Sequence, residues 1–255
     1  MRENPDPDIL ILGAVSRELT GLEPGLRDRS ESEIGRRRLI SGRLAGIPVR
    51  LLTTGPGLVN TVQAVTAAVE SQRPSLLIQT GCAGAFQKSG LDVGDVAAAA
   101  EEIDVHLGIE SKTGNDPIRP LPFPLMAHRG ADIRHRYPLD EKRHLRAAAV
   151  LENAFAGVCR VKRGPFVTVS TITATDRRAR ALYDQYRPCM ESMEGAGAAY
   201  LALHYELPLV EIRAASNRVG RRNRNAWNLD LAFERCAEAA ACLVKDIAEN
   251  GWEPN

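Results

Sequence analysis

Residues Leu207 to Gly220 read LPLVEIRAASNRVG. The run up to Ser216 is apolar without alternating, which is what a strand covered on both faces requires. It ends on Asn217, a neutral amide, and then breaks into a loop rich in arginine. Five more runs share the pattern and are bounded by glycine or proline: ILILGAV from Ile9, IPVRLLTTG from Ile47, PSLLIQTG from Pro74, VGDVAAAA from Val93 and PFVTVSTI from Pro165. Six such runs predict an α/β fold with a mostly parallel sheet sandwiched by helices.

The cover helices follow from apolar spacing. In GLVNTVQAVTAAVESQ, Val62, Val65 and Val69 share one face, and near the C-terminus Phe233, Cys236, Ala240, Leu243 and Ile247 recur at steps of three and four. From Lys112 to about Tyr137 prolines interrupt every helical pattern, so a long surface excursion is predicted, with a helix resuming near Leu139. No composition shift marks a boundary, so residues 1–255 read as one domain.

The 33 basic and 32 acidic side chains leave a net charge of +1, which supplies no electrostatic pull toward nucleic acid or an anionic membrane. A small, roughly neutral ligand is the expectation. The five cysteines form no C-x-x-C pair and suggest neither a zinc cluster nor a disulfide framework. MRENPDPDIL has no apolar core of signal-peptide length and no later run approaches a membrane span, so a soluble, cytoplasmic protein is expected.

In an open α/β sheet, ligands collect beyond the carboxyl ends of the strands. Glu18 follows the first run and, on its own, is either an acid complementing a helix start or a general base. TGCAGAF places Cys82, Ala83 and Gly84 in a small-residue turn where a ligand could approach the backbone. Met193 and Glu194 open a small-residue helix; a buried carboxylate there could accept from both hydroxyls of a ribose. The loop NRVGRRNRNAW is either a solvated basic segment or an anion-recognition element with Trp227 as an aromatic wall.

Taken in order, LGAVSRE, TGPGLVNT, TGCAGAF, LDVGDV, SMEGAGAAY and EIRAASNRVGRRNRNAW make the chain resemble the nucleoside phosphorylase/nucleosidase superfamily from Ile9 to about Ile247. Within it the chain is most similar to the futalosine hydrolases, purine nucleosidases of menaquinone biosynthesis that release hypoxanthine. The resemblance implies a single domain on a central, mixed, twisted sheet flanked by helices, assembled as a homodimer or higher homo-oligomer. It implies a purine nucleoside as ligand and neither metal nor organic cofactor. By position, Glu18 matches the water-activating glutamate, Glu194 the ribose-binding one beside Met193, and Asn217 the purine-recognition residue after Ser216. Thr171 and Ile172 match the segment lining the base.

Two positions depart from the methylthioadenosine/S-adenosylhomocysteine nucleosidases, which carry serine at Cys82 and aspartate at Asn217. The amide argues for a 6-oxopurine over adenine. Arg17 beside Glu18 keeps a phosphorylase open, as an alternative to hydrolysis of futalosine or another purine nucleoside; a non-catalytic nucleoside binder is the remaining alternative.

Overall fold

The six apolar runs become strands, and seven further strands are present among the described residues. The computed structural model describes residues 8–110 and 118–251. In chain order the strands are β1 (Ile9–Gly13), β2 (Arg27–Ile34), β3 (Arg37–Leu44), β4 (Ile47–Thr53), β5 (Leu76–Gln79), β6 (Cys82–Ala85), β7 (Val96–Asp104), β8 (Met126–His128), β9 (Ala131–Ile133), β10 (Arg136–Pro138), β11 (Val161–Thr168), β12 (Met190–Ser192) and β13 (Leu209–Arg218). The helices are α1 (Ser16–Thr20), α2 (Leu58–Ser71), α3 (Glu141–Ala154), α4 (Asp176–Tyr186), α5 (Gly195–His204) and α6 (Leu229–Asn250).

One mixed eleven-stranded sheet runs β10-β7-β11-β12-β6-β13-β5-β1-β4-β3-β2, and β13 pairs a second time with β7. The extra pairing makes β7, β11, β12, β6 and β13 close on themselves. The strand quoted first is the pivot. Leu209–Glu211 pairs in parallel with β5, Ile212–Ala214 pairs antiparallel with β7, and Ala214–Arg218 continues along β6. A strand shared between three neighbours is buried from Leu209 to Ser216, which explains its unbroken apolarity.

Two bulges aim side chains. Across Gly164/Pro165 the β7 register skips Ala100, and the shifted alternation turns Glu102, rather than Glu101, into the interior. On β13 Ala215 faces Ala83 and Asn217 faces Gly84, so Ser216 is the extra residue. One apolar cluster packs β-strand side chains against Ala64, Ala68 and Val69 of α2 and Ala198 and Leu201 of α5. The other packs them against Leu151 of α3 and Cys236, Ala240, Leu243 and Ile247 of α6. Polar caps start α3 and α6: Asp140 accepts from Arg143 N (3.0 Å) and Asn228 from Leu231 N (3.0 Å).

Some expectations need correction. Cys82–Ala85 is a strand, because a partner on each side satisfies its backbone; only Thr80 and Gly81 separate it from β5. The predicted excursion contains the β8–β9 hairpin and β10, the latter paired on the edge of β7. Its start at Lys112 and the stretch Met1–Pro7 lie outside the described residues. Among the described residues no helix is long and apolar enough to cross a membrane.

Candidate active site

Glu18 lies in the single turn of α1, two residues into the helix that β1 launches, and is 2% exposed. Its carboxylate faces inward. Oε2 accepts from the backbone N–H of Ala14 (2.6 Å) and Val15 (3.1 Å), and Oε1 accepts from Cys82 N (2.9 Å). Cys82 therefore contributes its backbone, while burial pushes its thiol pKa far up, so that it stays protonated. Gly81 explains how β1 and β6 come so close: a Cβ there would lie 2.5 Å from Glu18 Oε1, and its φ of +148° favours glycine. Burial raises the Glu18 pKa; the Arg213 guanidinium and the N–H of Cys82 oppose that rise, and Glu194 adds to it. A carboxyl held this way titrates closer to neutrality than a free one, as a general base requires.

Glu194 caps the start of α5 after β12 and is 5% exposed. Oε1 accepts from Gly57 N (2.9 Å) at the head of α2, and Oε2 accepts from Met193 N (3.3 Å) and Arg213 Nη1 (3.3 Å). Met193 sits beside it, packed on the cluster of Phe86, Val167 and Val169.

Asn217 stands on β13 beside β6, opposite Gly84. Ser216 Oγ donates to Asn217 Oδ1 (2.8 Å), with Ala83 O as its second acceptor at 3.2 Å, and Asn217 Nδ2 donates to Arg218 O (3.1 Å). The amide keeps one lone pair and one proton for a ligand. Gly84 faces it at close range, since a Cβ on Gly84 would lie 3.2 Å from Nδ2. The fold thus brings Glu18, Cys82, Ala83, Gly84, Glu194, Ser216 and Asn217 around the paired strands β6 and β13. Thr171 and Ile172 are exposed on the loop after β11, where Thr173 N donates to Glu191 Oε1 (3.0 Å). Trp227 lies under Arg222, 5.2 Å from guanidinium to ring centroid, in a cavity of about 460 Å³ that Arg17, Arg224 and Asp230 also line. Arg17 pairs with Asp230 (2.5 Å) and stacks on Phe233, so its guanidinium points away from the Glu18 carboxylate.

Sequence reasoning missed the floor of this site. Arg213 is fully buried, with Nε donating to Glu211 Oε1 (2.9 Å) as well as Nη1 to Glu194. Glu102, also fully buried, accepts from Thr168 Oγ1 (2.7 Å), whose oxygen accepts from Ala196 N (2.8 Å) in the first turn of α5. Four buried carboxyl groups, Glu18, Glu102, Glu194 and Glu211, therefore surround one guanidinium. The signal was present: charged residues inside an apolar strand are tolerated only when paired, and Glu211 and Arg213 are two apart on one face.

Comparison with known proteins agrees with this fold. The family model described as Phosphorylase superfamily matches residues 8–249. The chain is 31% identical over 235 residues to the futalosine hydrolase of Acidothermus cellulolyticus, covering 92% of this chain and 89% of the relative. It is 27% identical over 247 residues to a 5′-methylthioadenosine/S-adenosylhomocysteine nucleosidase of Geobacillus sp. (strain WCH70), covering 94% and 98%. The crystal structure of the corresponding nucleosidase from Neisseria meningitidis, in complex with methylthio-immucillin-A, superposes with a TM-score of 0.80 at 23% identity, covering 94% of this chain and 99% of that one.

Proposed function

Since the chain belongs to the phosphorylase superfamily, we propose that it is an N-glycosyl hydrolase that cleaves a 6-oxopurine nucleoside with water as the nucleophile. The observation that carries this reading is the charge of the pocket: Glu18 and Glu194 stand over the buried Glu211–Arg213 pair, so that carboxylates outnumber the single guanidinium. Breaking the C1′–N9 bond builds positive charge on the sugar, which such surroundings stabilise. They also repel a phosphate dianion. Arg17, the one arginine beside Glu18 in sequence, is committed to Asp230.

Glu194 accepts hydrogen bonds from the ribose hydroxyls beside Met193, and Glu18 takes a proton from the water that attacks C1′. The departing purine collects the electron pair of the broken bond. Taking a proton from solvent at N7, a 6-oxopurine leaves as its N7–H tautomer and presents a donor at N7 and an acceptor at O6. Asn217 has one free lone pair and one free proton to meet them, and Ser216 fixes its orientation. An aspartate could only accept, which suits the 6-amino group of adenine instead.

The substrate we favour is futalosine, whose 5′ extension bears a benzoate. The cavity holding Arg222, Arg224 and Trp227 supplies cations and an aromatic wall for that end. The likeness to a futalosine hydrolase supports the choice, and Thr171 and Ile172 are proposed to border the base. A homo-oligomer is proposed as the working state, with Val59 of α2, 84% exposed and two residues from the Gly57 N–H that holds Glu194, on the contact face. The test is kcat/KM for futalosine, inosine and methylthioadenosine. Futalosine is expected to exceed methylthioadenosine by about tenfold or more; preference for methylthioadenosine would overturn the reading.

A further inference from the structure

Beneath the site, two carboxyl oxygens have no donor: Glu102 Oε1 and Glu211 Oε2 are both buried and unpartnered. They converge on one point. A Cβ built on Gly195 would lie 2.0 Å from Glu102 Oε1 and 2.6 Å from Glu211 Oε2. Two ionised carboxylates facing each other this way in a buried interior repel strongly, whereas a proton between them satisfies both oxygens at once. The remaining oxygens show which residue carries it. Glu211 Oε1 accepts from the Arg213 guanidinium, while Glu102 Oε2 accepts from the neutral hydroxyl of Thr168. The cation keeps the negative charge on Glu211, and Glu102 becomes the donor. Burial, and then the neighbouring Glu211, raise the Glu102 pKa well above the usual range, and burial raises that of Glu211 against the pull of Arg213.

We infer that Glu102 and Glu211 share one proton, carried on Glu102, and that this pair positions Arg213 between Glu211 and Glu194 so that the guanidinium does not close on Glu18. The charged groups facing the pair are Arg213 on β13, Glu194 at the start of α5 and Glu18 on α1; the thiols of Cys82 on β6 and Cys236 on α6 lie beyond Glu18. With Glu211 anionic, Arg213 is held from both sides and Glu18 keeps the raised pKa of an effective base. Neither Glu102 nor Glu211 touches substrate in this arrangement; both are positioning residues.

The catalytic half of this inference rests on the nucleosidase reading, and the proton itself does not. In the wild-type protein, infrared spectroscopy near neutral pH is expected to show the carbonyl stretch of a protonated carboxyl that Glu102→Gln removes and Glu18→Gln leaves in place. Unfolding of Glu102→Gln between about pH 7 and 8 is expected to release about one proton fewer than wild type. Failure of Glu102→Gln to change either quantity would overturn the shared proton whatever the enzyme acts on. On the nucleoside, Glu211→Gln frees Arg213 and is expected to move the acid limb of kcat/KM down by about one pH unit. Glu102→Gln, whose amide is a permanent donor, is expected to keep that limb at the wild-type pH. Matching shifts in both variants, or none in Glu211→Gln, would overturn the positioning role.

Discussion

At Glu18 a single carboxylate is held by three backbone N–H groups and has its pKa raised by burial. Glu18→Gln preserves the shape and removes the proposed base, so kcat is expected to fall about 100-fold or more while nucleoside affinity changes little. Single-turnover kinetics with a binding isotherm checks it; turnover within a few-fold of wild type would reduce Glu18 to a helix-start acid. Because Glu18 must be ionised, kcat/KM is expected to drop as pH falls through its raised pKa, above the ordinary carboxylate range. For Asn217→Asp, the ratio of kcat/KM for 6-oxo over 6-amino nucleosides is expected to fall by about tenfold, or ~1.4 kcal/mol. An unchanged ratio would mean that Asn217 does not read the purine. Asn217 was legible because it ends an apolar run, and Glu18 and Glu194 because each stands at the start of a helix just after a strand. Glu211 and Arg213 were not, because they lie inside a run that reads as apolar strand, and Glu102 was not, because it lies past the run that ends at Ala100 and its partner Thr168 is distant in sequence.

The elements divide along the same line. The six buried strands and helices α2 and α6 declare themselves by apolar period, since burial on one or both faces leaves that mark. The β2–β3 hairpin does not: RDRSESEI is charged and exposed along nearly its whole length, and it pairs only through its β3 partner on the sheet edge. β6 is invisible for the opposite reason, being four small residues whose strand character comes entirely from neighbours. The start of α5 tests how closely these elements are fitted. Gly195→Ala would drive a Cβ into Glu102 and Glu211, and is expected to cost about 1–3 kcal/mol of stability. Gly197→Ala, two residues on, meets Leu58 Cδ2 at 3.3 Å and gains helix propensity, so its change is expected to stay within about 1 kcal/mol. Urea titration of both variants compares them, and equal losses would contradict this packing at Gly195.

Across the whole molecule, the buried acids make stability depend on pH. Glu102 keeps its proton in the folded chain and loses it on unfolding, where a glutamate titrates near about 4.3. A raised folded pKa contributes stability that is full below the unfolded value and lost as pH rises toward the folded one. His106, His135 and His144, whose pKa values burial lowers, act in the opposite sense only below about 6.5. Stability is therefore expected to decline from about pH 7 to 8, by up to ~1.4 kcal/mol per pH unit for each proton released. A stability that rises over that interval would contradict it.

The surplus of buried carboxylates over the one guanidinium is what leads us to propose water, not phosphate, as the nucleophile. Product analysis of futalosine cleavage with and without saturating phosphate tests that assignment most directly. The free sugar derivative is predicted in both reactions, at the same rate; formation of a sugar 1-phosphate, or dependence of the rate on phosphate, would contradict it.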